Sequence, residues 1–532
     1  MVSKKTRNPC AGCKRTLTLA LPVIFPIRGW SGVFYLLLSL SLAAVSTGCK
    51  RPLPEMNPEK YASTAPGKPY RIPDKAQEKP VPPQKTDLSP ETVKPASGDF
   101  SLAELVDVAL RINPSTRRGW DLARAAAAQW AVSRGDYYPT VTGDATGMGL
   151  GGETSHGYYG QVGVSLSYLL LDFGGREATV ESARQSLMAA NWNHNQVIQD
   201  VLRNVPQSYY TYLGNRAKVR ASEASLKEAL TSLQSTEQRK KAGVSTIADV
   251  LQARSKADQV KLDLIGNRGA VEISKGNLAT AIGWPANANF EVKEEPDDLP
   301  LDNMQQNTRE LIQLALRDRP DLASSKASVR QSEADLRRSE AELWPKLMAT
   351  GNAGWSGISG TISGSDWLSS GGGISGSDFS YYGGLTLQIP IFEGFSLRNK
   401  VRQARANLDA AKAELRIKEE SVISEVWSAF YNVRTAAQQV ETSETLLASS
   451  EQSYKVSLAR YRAGAAEIVE LLNAQTTLAS ARSRKVQART DLFTSYAELI
   501  HAIGADLPTE PPRETPLSRE NDNKRETLSY AQ

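Results

Sequence analysis

Residues 158–176 read YYGQVGVSLSYLLLDFGGR, and residues 384–395 read GLTLQIPIFEGF. In both stretches apolar side chains alternate with polar or small ones, in the second as far as Ile391, before a glycine-containing turn. A period of two predicts a β-strand with one apolar and one polar face. Weaker alternation near Tyr137 and Trp344 predicts one more strand ahead of each stretch. All four strands are close to the roughly 9–11 residues that a tilted membrane strand needs.

The chain contains an internal duplication, with residues that recur after 206 positions in its early part and after 221 positions in its later part. Ala109, Pro114 and Pro139 recur as Ala315, Pro320 and Pro345, and Leu166, Gly243 and Gly283 recur as Leu387, Gly464 and Gly504. Each half is predicted to run helix, helix, strand, loop, strand, very long helix, turn, helix. The difference of 15 residues between the two spacings predicts an insertion in a surface loop, within the Gly- and Ser-rich residues 351–384.

A very long helix is predicted after each second strand, because about 68 residues pass without an obvious stop before Gly243 or Gly464. At about 1.5 Å per residue such a helix is roughly 100 Å long. In the second half a heptad of apolar residues predicts a coiled-coil seam. Its members are Val401, Leu408, Leu415, Val422, Ala429 and Ala436. In the first half Pro206 predicts a kink.

Four strands cannot close a membrane barrel, because about eight is the smallest closed form and open strand edges are not tolerated in lipid. The predicted fold is therefore mainly α with a membrane β-barrel. A homotrimer would complete a 12-stranded barrel, with four strands per protomer, above a long coiled-coil helical barrel.

The first residues have the features of a targeting segment. A basic stretch precedes an apolar run at residues 33–45, which ends at Gly48-Cys49. This end resembles a bacterial lipoprotein signal and predicts lipidation of Cys49 with palmitate among its acyl chains, although Ser46 stands where an aliphatic residue is usual. The predicted organisation is a signal peptide at 1–48, a lipidated N-terminus with a Pro-rich linker at 49–100, repeats at 101–300 and 301–506, and a disordered tail at 507–532.

Composition argues against several function classes. The formal net charge of +5 is spread over 63 basic and 58 acidic residues without a basic block, so nucleic-acid binding is not expected. The cysteines lie within the first fifty residues, and the CxxC of Cys10 and Cys13 stands alone. No metal or cofactor site is predicted. The candidates for a metal or nucleotide site are the histidines His156, His194 and His501 and the GxGxxG of Gly147, Gly149 and Gly152.

Over about residues 100–506 the chain resembles the TolC-like outer-membrane efflux proteins. The resemblance is carried by the duplication, by the turns LDFGGR at 171–176 and IFEG at 391–394, and by two hairpin tips. The tips read KAGVSTIADVL at 241–251 and YRAGAAEIVELLNA at 461–474. The family implies an outer-membrane homotrimer with a periplasmic helical domain, which receives substrates from an inner-membrane pump through a periplasmic adaptor. It implies no catalysis.

The resemblance also implies roles for residues at the tips. Gly243 and Gly464 mark the turns where an adaptor would dock, and Asp249 and Glu470, each six positions later, would ring the periplasmic aperture together with Tyr461. The second tip departs from the family pattern at two positions: Ala466 stands where some members have an Arg, and Asn473 stands where they have an acid. The residues alone permit a simpler interpretation, in which the acids favour helix N-termini and the glycines end the long helices in a left-handed conformation.

Two other function classes were considered. A lipid-anchored periplasmic coiled-coil adaptor or structural protein of the envelope should contain one helical hairpin between compact β domains, which the duplicated strand hairpins do not match. An envelope enzyme should carry a nucleophile, base or metal set, and none is apparent. Within the efflux architecture, drugs, metal ions and proteins all remain open as cargo.

Overall fold

The structure is a computed structural model and describes residues 61–71, 99–151, 155–294, 307–362 and 373–504. Some expectations concern residues outside these ranges: the signal peptide, the CxxC, Cys49, the tail at 507–532 and the middle of the predicted loop at 363–372.

The described elements follow the predicted order in both repeats. The first repeat contains β1 (Asp99–Phe100), α1 (Leu102–Ile112), α2 (Pro114–Arg134), β2 (Thr140–Gly151), β3 (Ser155–Leu171), α3 (Gly175–Lys241), α4 (Ile247–Ile282) and β4 (Glu291–Val292). The second contains α5 (Thr308–Asp318), α6 (Pro320–Ala341), β5 (Lys346–Ile362), β6 (Gly373–Gln388), α7 (Ser396–Arg462) and α8 (Ile468–Ile503). A 3₁₀ turn, Gly135–Tyr137, follows α2.

The helices begin and end at residues whose chemistry explains the boundaries. Ser101 and Glu104 form a capping box at the start of α1. Both α2 and α6 begin with proline, which has no amide hydrogen to leave unpaired in a first turn. The predicted long helices are confirmed, because α3 and α7 each contain 67 residues. α3 continues through Pro206 without a break, and the kink there stays a prediction.

The four long strands form one antiparallel sheet in the order β2-β3-β5-β6. Three strand ends differ from the predicted ones. β6 ends at Gln388 and does not reach Ile391, because Pro390 lacks the amide hydrogen that would continue the ladder. The predicted loop at 351–384 is strand at both ends, since β5 extends to Ile362 and β6 begins at Gly373. Part of the inserted sequence therefore lengthens the hairpin: β5 has 17 residues where β2 has 12.

The long helices pack differently in the two repeats. α3 packs against α2 and α4 of its own repeat and also against α6 and α8 of the second. α7 packs against α5, α6 and α8, but among the described residues no first-repeat helix packs extensively against it. In the predicted heptad Leu408, Val422, Ala429 and Ala436 are buried, and Val401 and Leu415 are half-buried. No helix in the described part of the chain is long and apolar enough to cross a membrane.

Part of the predicted Pro-rich linker at 49–100 packs against the helices. Residues 61–71, which we call the strap, lie against α2 and α3. Asn195 of α3 accepts a hydrogen bond from the Tyr70 amide at 2.6 Å and donates to the Tyr70 carbonyl at 2.9 Å. Trp120 of α2 donates to the Ser63 carbonyl at 2.8 Å. The strap is ordered because Tyr70 is buried and side-chain amides satisfy its backbone.

Candidate functional site

The sheet exposes its apolar face. Tyr158 and Val162 are 74% and 64% exposed, and Leu385 on β6 is 68% exposed. On the opposite face Gln161 and Ser165 are half-buried, and the Ser165 hydroxyl hydrogen-bonds Thr142 at 2.6 Å. A sheet in water normally buries its apolar face, whereas membrane strands turn apolar residues outward and polar residues inward. This arrangement suits a surface that contacts lipid.

The polar face carries two carboxylates that the sequence analysis missed. The strand register places Asp144 of β2 and Asp378 of β6 on this face, on the two edge strands of the sheet. Within β2, β3, β5 and β6 as described, the only lysine or arginine is Lys346 at the start of β5. The same alternation that predicted the strands could have identified these acids, because each lies an even number of positions from a polar residue of its strand.

Both long helices end as predicted at a left-handed glycine. Gly243 has φ of 78° and Gly464 has φ of 75°, a region that favours residues without a Cβ. The Val244 amide donates to the Arg239 carbonyl at 3.0 Å, and the Ala465 amide donates to the Arg460 carbonyl at 2.9 Å. These bonds satisfy carbonyls that the helix leaves free. Both tips are exposed turns.

Asp249 is part of a capping box at the start of α4. Its carboxylate accepts hydrogen bonds from the Thr246 amide and the Ser245 hydroxyl, both at 2.8 Å, and its own amide donates to the Thr246 hydroxyl at 3.2 Å. The Thr246 amide, followed by the Ser245 hydroxyl, lowers the pKa of Asp249 below its usual value. The capping interpretation of Asp249 is confirmed, and its aperture role stays a prediction.

Glu470 has a different environment although it occupies the equivalent position. Its carboxylate pairs with Arg460 of α7 at 2.6 Å, and Arg460 is the residue whose carbonyl the Ala465 amide binds. The N-cap of α8 is Glu467, whose side chain makes no capping bond. Glu470 therefore bridges the two arms of its own hairpin and does not cap α8.

Tyr461 joins the two repeats near the tips. Its ring is buried, its hydroxyl lies 3.0 Å from the Thr236 hydroxyl of α3, and the Arg239 guanidinium stands over the ring at 4.8 Å. Arg239 also donates to the Tyr461 carbonyl at 2.8 Å. The sequence pattern at the tips did not single out Thr236 and Arg239. One signal was available, because Arg239 lies 221 residues before Arg460 and is its repeat equivalent.

A second connection between repeats lies further from the tips. Arg482 of α8 donates to both carboxylate oxygens of Glu228 on α3, at 3.0 and 2.9 Å. Gln475 of α8 donates to the Ser232 hydroxyl of α3 at 2.5 Å. A two-bond arginine–carboxylate pair fixes orientation as well as distance. The long helix α3 is thus hydrogen-bonded to α8 of the second repeat in its C-terminal half, at Glu228 and Ser232.

The histidines pack within the helical region. Burial lowers the pKa of His194, whose Nε2 lies 3.3 Å from the strap carbonyl of Lys68. His501 Nε2 contacts Asp200 at 2.9 Å. The described residues contain no group of three or more His, Cys, Asp or Glu placed to hold a metal. Gly147 and Gly149 lie in β2, which leads to a strand, so no helix N-terminus follows them.

Comparison with known proteins identifies relatives of the whole architecture. The family described as outer membrane efflux protein matches residues 105–284 and 311–505. Protein CyaE of Bordetella pertussis is 28% identical over 434 residues, which cover 78% of this chain and 87% of CyaE. The probable efflux pump outer membrane protein TtgC of Pseudomonas putida is 24% identical over 426 residues, 76% of this chain and 83% of TtgC. A membrane protein from Pseudomonas aeruginosa has the same fold, with a TM-score of 0.67, 24% identity and coverage of 76% of this chain and 93% of that one.

Proposed function

This chain belongs to the outer membrane efflux protein family, and we propose that it is the outer-membrane channel of an efflux or secretion system. The resemblance to TolC-like proteins is thereby confirmed, and the family favours a channel over a periplasmic adaptor or an envelope enzyme. The observation that carries the proposal is the sheet of four strands, whose apolar face is exposed and whose other face carries polar residues, half-buried on β3 at Gln161 and Ser165. Lipid is the environment that this distribution fits.

A homotrimer is the assembly that the sheet supports. β2 and β6 are edge strands with unpaired backbone groups, which are costly in a membrane. Three copies would pair β6 of each with β2 of the next and give a 12-stranded barrel. The polar faces would then line the lumen, and the long helices would continue from the barrel into the periplasm.

The helical tips and the N-terminus also have roles in this proposal. In this proposal the turns at Gly243 and Gly464 meet a periplasmic adaptor, which connects the channel to an inner-membrane pump. Asp249, Glu470 and Tyr461 lie at the periplasmic aperture, in agreement with their clustering around the two tips. Cys49 carries the lipid anchor in the outer membrane. Replacing Cys49 with serine should abolish metabolic labelling with palmitate. Unchanged labelling would show that Cys49 is not the lipidated residue.

The central test uses the full-length protein purified in detergent from outer membranes. Native mass spectrometry should give three chains, and planar bilayers should show discrete conductance steps. A heated sample should migrate differently from an unheated one, because a closed barrel resists unfolding in detergent. A protein that is extracted by detergent as a monomer, migrates identically with and without heating and produces no conductance would contradict the channel and favour the lipid-anchored adaptor.

A further inference from the structure

The two long helices begin with different charges although their first turns are repeat equivalents. The first ten residues of α7, 396–405, include four basic residues and no acidic one, a net charge of +4. The basic residues are Arg398, Lys400, Arg402 and Arg405. The first ten residues of α3, 175–184, include two arginines and two glutamates, so their charges cancel. The glutamates of α3, Glu177 and Glu181, stand at the repeat positions that arginines occupy on α7.

Arg398 and Arg402 have no acidic partner. Both side chains are exposed, and neither lies within 4 Å of a carboxylate in the part of the chain that the structure describes. Arg402 donates to the Asn399 side-chain oxygen at 3.4 Å. The other two basic residues of this segment lie 2.9 and 3.9 Å from glutamates of α6. On α3, by contrast, Glu181 pairs with Arg184 at 3.1 Å. Like charges one turn apart destabilise a helix, so Arg398 and Arg402 need an anion from outside the chain.

Arg398, Arg402 and Arg405 form one stripe along α7, because residues four and seven positions apart lie on the same side of a helix. We call these three residues the basic stripe. The equivalent residues of α3 show what a neighbouring helix covers there. α3 packs against both α2 and α6, yet of the three equivalents Glu177 and Arg184 are exposed and the third is half-buried. The basic stripe therefore stays accessible when α7 also has a helix on each side.

Exposed apolar and aromatic side chains lie between the sheet and the first turns of the long helices. In the segment between β6 and α7, Ile391 is 93% exposed, Phe392 is 72% exposed and Phe395 is 60% exposed. In front of α3, Phe173 stacks on Trp344 with ring centroids 5.4 Å apart, and both rings are at least half exposed. We call these five residues the aromatic layer. Aromatic side chains collect where the hydrocarbon of a membrane meets its headgroups.

Positive charge is confined to one end of the apolar sheet. In β2, β3, β5 and β6 as described, the only lysine or arginine is Lys346, at the start of β5. Lys346 pairs with Gln388 at the end of β6, which is the end from which the chain enters α7. The described strand residues at the opposite end carry no lysine or arginine. The apolar surface is thus followed by the aromatic layer and then by basic residues on the side of the helices alone.

From these observations we propose that the basic stripe binds the phosphate groups of anionic phospholipids in the membrane leaflet that faces the periplasm. The acyl chains lie on the apolar face of the sheet, the aromatic layer lies at the headgroup boundary, and the arginines reach the phosphates. Arginine suits this task because its planar guanidinium donates two parallel hydrogen bonds to a phosphate. The inference rests on the proposed function, since the sheet must lie in the outer membrane with α7 on the periplasmic side. It adds a class of lipid and the residues that select it.

The test measures lipid binding by native mass spectrometry of the full-length protein in an uncharged detergent. The probes are phosphatidylglycerol, which is anionic, and phosphatidylethanolamine, which is zwitterionic, each titrated separately. The unmodified protein should bind phosphatidylglycerol more tightly than phosphatidylethanolamine. The stripe variant combines Arg398→Gln, Arg402→Gln and Arg405→Gln. Each basic residue at a membrane surface contributes about fivefold to the binding of anionic lipid, so this variant should lose at least about tenfold in phosphatidylglycerol affinity. It should then bind the two lipids equally.

A matched control removes the same charge far from the sheet. It combines three changes at exposed lysines, Lys227→Gln, Lys261→Gln and Lys455→Gln. These lysines lie about 75 Å or more along the helices from the start of α3 or α7, well beyond the range of screened charges. The control should keep the phosphatidylglycerol affinity of the unmodified protein. A third variant, with lysine at all three stripe positions, keeps the charge and should bind phosphatidylglycerol more tightly than the glutamine variant does.

Trimer mass and conductance, measured on the same samples, separate the possible failures. If the unmodified protein is a conducting trimer but the stripe variant binds phosphatidylglycerol equally well, the lipid site is wrong and the channel stands. If inorganic phosphate displaces phosphatidylglycerol and chloride at the same ionic strength does not, the stripe binds free anions and the lipid inference is wrong. If the unmodified protein forms no trimer and does not conduct, the proposed function fails and the lipid site with it.

Discussion

The two repeats solve the same structural problem with different chemistry. In the first repeat, Asn113 between α1 and α2 donates to the Ala281 carbonyl in the last turn of α4 at 2.8 Å. In the second, Arg319 between α5 and α6 donates to the equivalent Ala502 carbonyl of α8 at 3.1 Å. We call these contacts the first and the second junction. Each holds the start of a repeat against its end.

The difference lies in what each junction requires from its surroundings. Asn113 is neutral, and its side-chain oxygen also caps α2 by accepting from the Ser115 amide at 2.8 Å. Arg319 is a charge with a side chain only 4% exposed, and Asp321 binds it through both carboxylate oxygens at 3.0 and 2.6 Å. Glu425 and Lys418 complete this group by pairing with Arg319 and Asp321 respectively. The comparison shows that a buried cation needs a set of partners, whereas an amide needs only two well-placed groups.

The largest effect should come from removing a partner of the buried cation. Asp321→Ala leaves the Arg319 charge poorly compensated and should lower the free energy of unfolding by about 3–5 kcal/mol. Its matched control is Asp318→Ala, three residues earlier, because Asp318 pairs with Arg317 on the surface. An exposed pair contributes less than about 1 kcal/mol. Denaturant unfolding followed by circular dichroism should separate the two variants. Equal losses of unfolding free energy would show that the Asp321 pair in the second junction stabilises the fold no more than an exposed ion pair does.

Acid should weaken the second junction and spare the first. Burial raises the pKa of Asp321, but Arg319 and then Lys418 outweigh it, so the folded-state pKa falls from 3.8 to about 2. A folded-state pKa below the unfolded value gives a contribution that is complete above about pH 4 and is lost as the pH falls toward 2. The shift corresponds to roughly 2–3 kcal/mol.

The measurement is the difference in unfolding midpoint between wild type and Asp321→Ala as a function of pH. This difference should shrink below about pH 4. Asn113 does not titrate, so the corresponding difference for Asn113→Ala should stay constant over the same range. A constant difference for both variants would mean that the Asp321 carboxylate is not the group that titrates.

A smaller effect is expected at the first junction itself. Asn113→Ala removes a helix cap and one hydrogen bond to a carbonyl, and each contributes about 1 kcal/mol. The expected loss is therefore about 1–2 kcal/mol, below that of Asp321→Ala. Hydrogen exchange should locate the change in α2 and at the end of α4. If Asn113→Ala lost more unfolding free energy than Asp321→Ala, the first junction would be the more strongly stabilising of the two.

The smallest effects on stability concern the two tips, where the repeats also differ. Asp249→Asn weakens the capping box of α4, at a cost of about 0.5–1 kcal/mol, and Glu470→Gln weakens an exposed pair with Arg460, at a cost of less than about 1 kcal/mol. If both acids ring the aperture, the double variant should also lower cation selectivity in single-channel recordings without disturbing assembly. Unchanged selectivity would leave Asp249 as a cap and Glu470 as a hairpin bridge.

The sequence by itself determined the elements and their duplication. Period-two alternation gave the strands, the lack of stops gave the 67-residue helices, and the recurrence of Gly243 as Gly464 gave the turns, because these features depend on local backbone chemistry. Where a local rule was overlooked the boundary was wrong, as at Pro390 after β6. The lone aromatic residues of the strap did not reveal that residues 61–71 pack, since their partners lie more than fifty residues away.

Only the tertiary structure decided which equivalent residues acquired different tasks. Asp249 and Glu470 share a position in the repeat, but one caps a helix and the other pairs with an arginine, because Thr246 can cap and Glu467 does not. Arg239 reaches the Tyr461 carbonyl of the other repeat, whereas its equivalent Arg460 binds Glu470 of its own hairpin. Such choices depend on contacts between residues far apart in the chain. A repeat in the sequence fixes what the two halves share, and the packing of one half against the other makes them differ.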